Sequence, residues 1–124
     1  MRTIRSRVFG EVEVSEKQCI AFPDGILGFE FIKEYYLLDI DNSPFYSLQA
    51  SGESEIAFIL IQPATFVRDY RLSIGAADME ALGARSVDEL LDFAIVTVPE
   101  NPAQMTANLQ GPIVINKKTR VARQ

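Results

Sequence analysis

The chain has 124 residues, of which 48% are hydrophobic and 23% charged; that is the common size of one domain, and the balance excludes a disordered chain because there is enough apolar surface to offset chain entropy. With no histidine and a single cysteine, the sequence excludes a Ser-His-Asp triad, zinc-finger spacing and an internal disulfide. The formal net charge is −5, but residues 11–116 hold all 17 acidic residues against five basic ones, a body charge of −12, while Arg2, Arg5 and Arg7 and then Lys117, Lys118, Arg120 and Arg123 make the two ends basic; such a body repels nucleic acid and attracts basic proteins.

In chain order, Gly10-Glu11-Val12-Glu13-Val14 alternates apolar and polar, the period of a strand with one buried face, and with residues 3–7 it predicts an opening hairpin. Cys19 sits in an apolar setting and reads as an inert thiol. Phe22-Pro23-Asp24-Gly25-Ile26-Leu27-Gly28-Phe29 is a loop, with Pro fixing φ and the glycines free to take positive φ. Residues 29–34 are read as one helical turn and residues 35–40 as a strand. Asp41-Asn42-Ser43-Pro44 is a turn, residues 45–50 a strand, and Ser51-Gly52-Glu53-Ser54 another turn. Residues 56–61 are continuously apolar, which predicts a strand buried on both faces and ended by Pro63.

The helical zone is 76–91. A short helix stops at Gly83, and Ser86 with Glu89 three residues later has the capping-box spacing. Residues 93–98 are a second core strand, Pro99 and Pro102 bracket a loop, and residues 105–110 and 113–116 are two strands joined through Gly111-Pro112. The tail carries a turn and a further strand. Turn signals at this spacing predict a mostly β fold, a small antiparallel β-barrel or strongly bent sheet with one or two short helices. Phe58, Leu60, Ala94 and Val96 fall near its centre.

No apolar run approaches the roughly 20 residues needed to span a bilayer, and the basic start is not followed by a leader-like apolar stretch. The chain is therefore expected in the cytoplasm, away from the membrane. No phosphate-binding loop, dinucleotide fingerprint or metal-ligand spacing is present, so no cofactor is expected. Asp39 with Asp41, or Glu53 with Glu55, could serve as an acid–base pair or ligate calcium, but acidic surface turns have the same look.

Three segments carry a family resemblance. They are Phe22-Pro23-Asp24-Gly25-Ile26-Leu27-Gly28-Phe29-Glu30, then Ser43-Pro44-Phe45-Tyr46-Ser47-Leu48-Gln49, and then Val96-Thr97-Val98-Pro99-Glu100 leading to Met105-Thr106-Ala107-Asn108-Leu109 and Pro112-Ile113-Val114-Ile115-Asn116. In order and spacing the sequence resembles the flagellar assembly factor FliW family from residue 8 to about residue 120. The resemblance implies one domain over 1–124, ending before the family's C-terminal strand and tail. It implies a non-enzymatic, cytoplasmic protein that binds flagellin and, when flagellin is exported, binds CsrA, a small basic RNA-binding dimer. That binding would relieve CsrA repression of flagellin translation, with no direct contact to nucleic acid. The acidic body suits such a partner.

On this reading the candidate partner-binding residues are Glu30, Glu53, Glu55 and Glu100 for electrostatic steering, with Phe45, Tyr46, Met105, Thr106 and Asn108 at the centre. Phe45 and Tyr46 point to opposite faces of a strand, so a sheet with one buried face hides only one of them. Thr106 and Asn108 have two readings, partner contact or hydrogen bonding to the backbone in a bulge, and Asn116 reads as a turn residue. The alternative function is a small-ligand-binding β-barrel or a carboxylate-dependent hydrolase; a barrel interior filled by side chains counts against it.

Overall fold

A computed structural model describes residues 1–98 and 100–124, with only the backbone of Pro102. The described elements are β1 (Arg2–Ser6), β2 (Gly10–Val14), β3 (Cys19–Ala21), β4 (Glu34–Asp39), β5 (Phe45–Ala50), β6 (Ala57–Ile61), α1 (Ala76–Leu82), β7 (Leu90–Thr97), β8 (Thr106–Asn116) and β9 (Ala122–Arg123), with short 3-10 turns between some of them.

β1 and β2 form the opening hairpin, with Arg2 opposite Val14 and Ser6 opposite Gly10. The Ser6 hydroxyl locks the turn: it donates to the Gly10 carbonyl and accepts from Phe9 N–H, both at 2.9 Å. Alternation puts Ile4, Val12 and Val14 on one face, and that face packs on Tyr36 and Leu38 of β4.

The other seven strands make one antiparallel sheet in chain order, β3 to β9. It curls almost into a barrel. Ala21 at the end of β3 bridges to Val121 and donates its N–H to the Arg120 carbonyl at 2.9 Å, so the first and last strands meet. Curling hides edges that would otherwise template aggregation. Every second residue points inward, and the core gathers Phe22, Tyr35, Leu48, Leu60, Phe93 and Ile113. Phe22 meets Tyr35 edge-on with ring centres 5.1 Å apart, and Tyr46 meets Phe93 in the same way at 5.1 Å; edge-to-face pairs add to area burial.

The sheet overrides some local readings. Residues 29–34 form a simple turn, with Ile32 N–H on the Phe29 carbonyl, because β4 already starts at Glu34. α1 stops at Gly83, which is left-handed at φ 68°. The capped turn Val87–Glu89 is a single 3-10 turn; Leu90 and Leu91 then join β7, where Asn116 and Ile115 of β8 face them. A ladder partner plus burial outweighs helix propensity here. The two strands expected at 105–110 and 113–116 are one strand, β8. Between Phe93 and Ile95 its partner jumps from Ile113 to Asn108, so Gly111 and Pro112 sit in a bulge, which tolerates both. The run 56–61 is buried only at Leu60 and Ile61; Ala57, Phe58 and Ile59 are half-exposed. Of the loop read between Pro99 and Pro102, Pro99 lies outside the described residues.

A candidate protein-binding surface

The outer face of the barrel is covered in two places. The β1–β2 hairpin covers β4. Helix α1 and the chain before it bring Leu72, Ile74, Met79 and Leu82 onto Leu90 and Val114 of β7 and β8. Between these covers the ladder aligns two outward rows, Phe45–Ile61–Ala94 and Ser47–Ile59–Val96–Ala107. These rows carry an apolar cluster that Met105 joins. An open groove of about 540 Å3 runs over it, lined by Phe45, Ala57, Ile59, Val96, Val98 and Met105, with Arg7 and Val8 of the hairpin at its side. Val98 is 51% exposed and Val8 42%. Exposed apolar concave surfaces are where proteins commonly bind partners or ligands.

The structure brings two of the candidate residues, Phe45 and Met105, together in this groove. It places the others elsewhere. Tyr46 turns inward onto Phe93, as the alternation in β5 requires. Thr106 is exposed opposite Thr97. Asn108 is exposed, its side-chain oxygen accepts the Gln110 N–H at 2.9 Å in the bulge, and it lines a second cavity. Glu53, Glu55 and Glu100 are exposed. The Glu30 carboxylate accepts the Gly28 N–H at 3.1 Å; that N–H is the main reason its pKa lies below the usual carboxylate value.

Several motif residues hold the scaffold. Gly25 sits at φ +70°, and a Cβ there would lie 2.6 Å from Glu30 Cα, so the loop closes only over glycine. Gln49 is fully buried. Its Oε1 accepts the Arg7 N–H at 2.8 Å, and its Nε2 lies 3.2 Å from the carbonyls of Ala50, Glu53, Ser54 and Ile56. Two protons serve at most two of these at once, yet the group ties the hairpin to the β5–β6 turn. Asn116 links α1 to the β8–β9 turn, donating to the Leu82 carbonyl at 2.7 Å and accepting from Lys118 and Thr119.

Sequence reasoning missed Ile59, Val96 and Val98 as groove residues. The signal was present in the run 56–61: a strand apolar on both faces in a barrel that hides only one leaves the other face for something else to cover.

Aromatic and branched side chains fill the barrel interior, which counts against a ligand-binding barrel. Asp39, Asp41, Glu53 and Glu55 are all exposed, and among the described residues no group of three or more potential ligands could hold a metal. Among the same residues no helix is long and apolar enough to cross a membrane. Part of the basic tail is engaged, since Arg123 pairs with Asp78 at 3.2 Å and Asp24 at 3.6 Å.

The family model described as FliW protein matches residues 3–124. The chain is 42% identical over 123 residues to a flagellar assembly factor FliW of Leptospira interrogans, covering 98% of this chain and 82% of that one. It is 41% identical over 121 residues to a protein of the same description from Treponema denticola, covering 98% and 82%. A crystal structure of the flagellar assembly factor FliW superposes with a TM-score of 0.92 at 32% identity, covering 99% of this chain and 86% of that one.

Proposed function

Because the chain belongs to the FliW protein family, we propose that it is a flagellar assembly factor that works by binding other proteins and carries out no chemistry of its own. Its partners are flagellin and the basic RNA-binding dimer CsrA, both met in the cytoplasm by a chain that folds as one domain. Binding CsrA lifts its repression of flagellin translation. The observation that carries this reading is an open apolar groove, with Phe45 and Met105 among its lining residues, on a body with 17 acidic residues between 11 and 116. Apolar contact gives a complex its lifetime, and long-range charge speeds encounter with a basic partner.

The test is surface plasmon resonance against purified CsrA and flagellin across a salt series. Met105→Lys and Val98→Lys are expected to weaken a partner that uses the groove by about tenfold or more, mainly through faster dissociation. The double change Glu53→Lys and Glu55→Lys is expected to slow association with CsrA and flatten its salt dependence as the Debye length shortens. All variants should keep the wild-type melting temperature. If the wild type binds neither partner, or if groove variants bind both normally, the reading fails.

A further inference from the structure

We propose that Arg7 makes the groove selective for a carboxylate: the groove takes a segment of another protein whose apolar side chains are followed by one aspartate or glutamate, and the Arg7 guanidinium pairs with that group. This rests on the reading of the groove as a protein contact and names the chemistry of what fills it. Phe45, Ile59, Val98 and Met105 give it apolar walls, and among the described residues Arg7 is the one charged residue lining it. This cation stands at the edge of a strongly acidic body. Yet among the described residues the ion pairs are those of Arg123 with Asp24 and Asp78, so Arg7 has no carboxylate partner there. Its Nη1 donates to the Glu55 carbonyl at 3.4 Å; it is the backbone of Glu55 that it meets, and not the acid.

The fold holds Arg7 in place. Its backbone N–H donates to Gln49 Oε1 at 2.8 Å, and Gln49 is fully buried. The Ser6 hydroxyl locks the same turn on Phe9 N–H and the Gly10 carbonyl. The bond to Glu55 lays the guanidinium two residues before Ala57, which also lines the groove. A guanidinium has five N–H donors, so one carbonyl leaves enough of them for a two-pronged grip on a carboxylate. A side chain already held loses less freedom on binding, and a pair formed against an apolar wall is screened less than one in open water. Two electrostatic effects then oppose each other. The acidic body favours a basic guest over the whole surface, while Arg7 favours an acidic group at one point. At contact the local pair wins, because Coulomb energy falls with distance and salt screens the remoter charges. The other hairpin arginines stand elsewhere: Arg2 donates to the Tyr36 hydroxyl at 3.1 Å, and Arg5 lines a separate cavity with Gly52 and Ser54.

The probes are three capped peptides of leucine alternating with serine, identical except for a last residue that is aspartate, asparagine or lysine, titrated into the isotope-labelled full chain. Expected are amide shifts at Phe45, Val98 and Met105, with the aspartate peptide about tenfold tighter than the asparagine one and the lysine peptide weakest. Arg7→Gln keeps the backbone N–H on Gln49 and should abolish the preference for aspartate. Arg5→Gln makes the same change in net charge away from the groove and should leave that preference intact. Arg7→Lys, a point charge without the fork, should keep part of it. All variants should melt as the wild type does. The proposal is overturned if the lysine peptide binds as tightly as the aspartate one, if Arg7→Gln does no more than Arg5→Gln, or if no peptide binds up to its solubility limit. Binding in the groove without a charge preference removes the role of Arg7 alone and leaves the groove a protein contact, which the flagellin and CsrA measurements judge separately. Tighter binding of decanoate at the same residues, or shifts there that follow protein concentration without peptide, would overturn it in favour of a small amphiphile or a second copy.

Discussion

The side-chain amide of Asn116 donates to the carbonyl of Leu82 at 2.7 Å, joining the last residue of β8 to the last residue of α1. The same side chain accepts from Lys118 and Thr119 N–H, and it is 3% exposed. One residue thus satisfies a helix-end carbonyl and shapes the turn that leads into β9.

Asn116→Ala leaves the buried Leu82 carbonyl unpaired and releases the N–H groups of Lys118 and Thr119, which lie at exposed residues. One buried unsatisfied group costs about 1–3 kcal/mol, so a loss of about 1–3 kcal/mol is expected, read as a lower urea midpoint with unchanged slope. Asn116→Asp should be no better, because it lacks the donor and adds a buried charge. A loss under about 0.5 kcal/mol would show that the contact is not holding α1.

Gly25 and Gly28 should differ sharply although both have positive φ, +70° and +88°. At Gly28 a Cβ meets nothing, while at Gly25 it collides with the Glu30 backbone. Gly28→Ala is expected to cost about 1–2 kcal/mol for the left-handed conformation alone. Gly25→Ala should cost at least about 2 kcal/mol more, because the loop must open. Thermal melts of the two variants check the order.

Tyr35 makes stability fall at high pH. It is fully buried, its hydroxyl has no partner among the described residues, and burial pushes its pKa up to about 12. The folded value lies above the unfolded one of about 10, so the folded state holds the proton more tightly. Its contribution is complete below about pH 10 and lost as pH rises toward about 12, roughly 2–3 kcal/mol in all. Tyr35→Phe should remove this loss and change neutral-pH stability by less than about 1 kcal/mol, since no hydrogen bond is given up. Urea unfolding at a series of alkaline pH values is the measurement.

Cys19 should alkylate slowly. Burial, and next the Glu34 carboxylate whose oxygen lies 3.8 Å from the sulfur, push its thiol up. The thiolate is the reactive form, so Glu34→Gln is expected to speed modification at about pH 8 by a few-fold, while modification of the unfolded chain stays unchanged. Equal rates for the two folded proteins would show that Glu34 has no hold on the thiol.

Periodicity and turn chemistry determined most of the strands. β2 follows from its strict alternation, β5 is bounded by Pro44 before it and Gly52 after it, and the stop of α1 follows from Gly83. These signals act over a few residues, where side-chain direction and backbone φ are set. The net charge of the body, the absence of histidine chemistry and the motif residues that carry the family resemblance were equally legible in the sequence. Tertiary structure alone decided the rest. Leu90 and Leu91 became strand because Asn116 and Ile115 stood opposite, and 105–110 merged with 113–116 because β7 runs past both. Phe45 and Met105 came to share a groove while Tyr46 and Asn108 left it, since the inward face of each strand is fixed by which way the sheet curls. Ladder pairing and the sense of closure are contacts between residues far apart in the chain, and no local pattern encodes them.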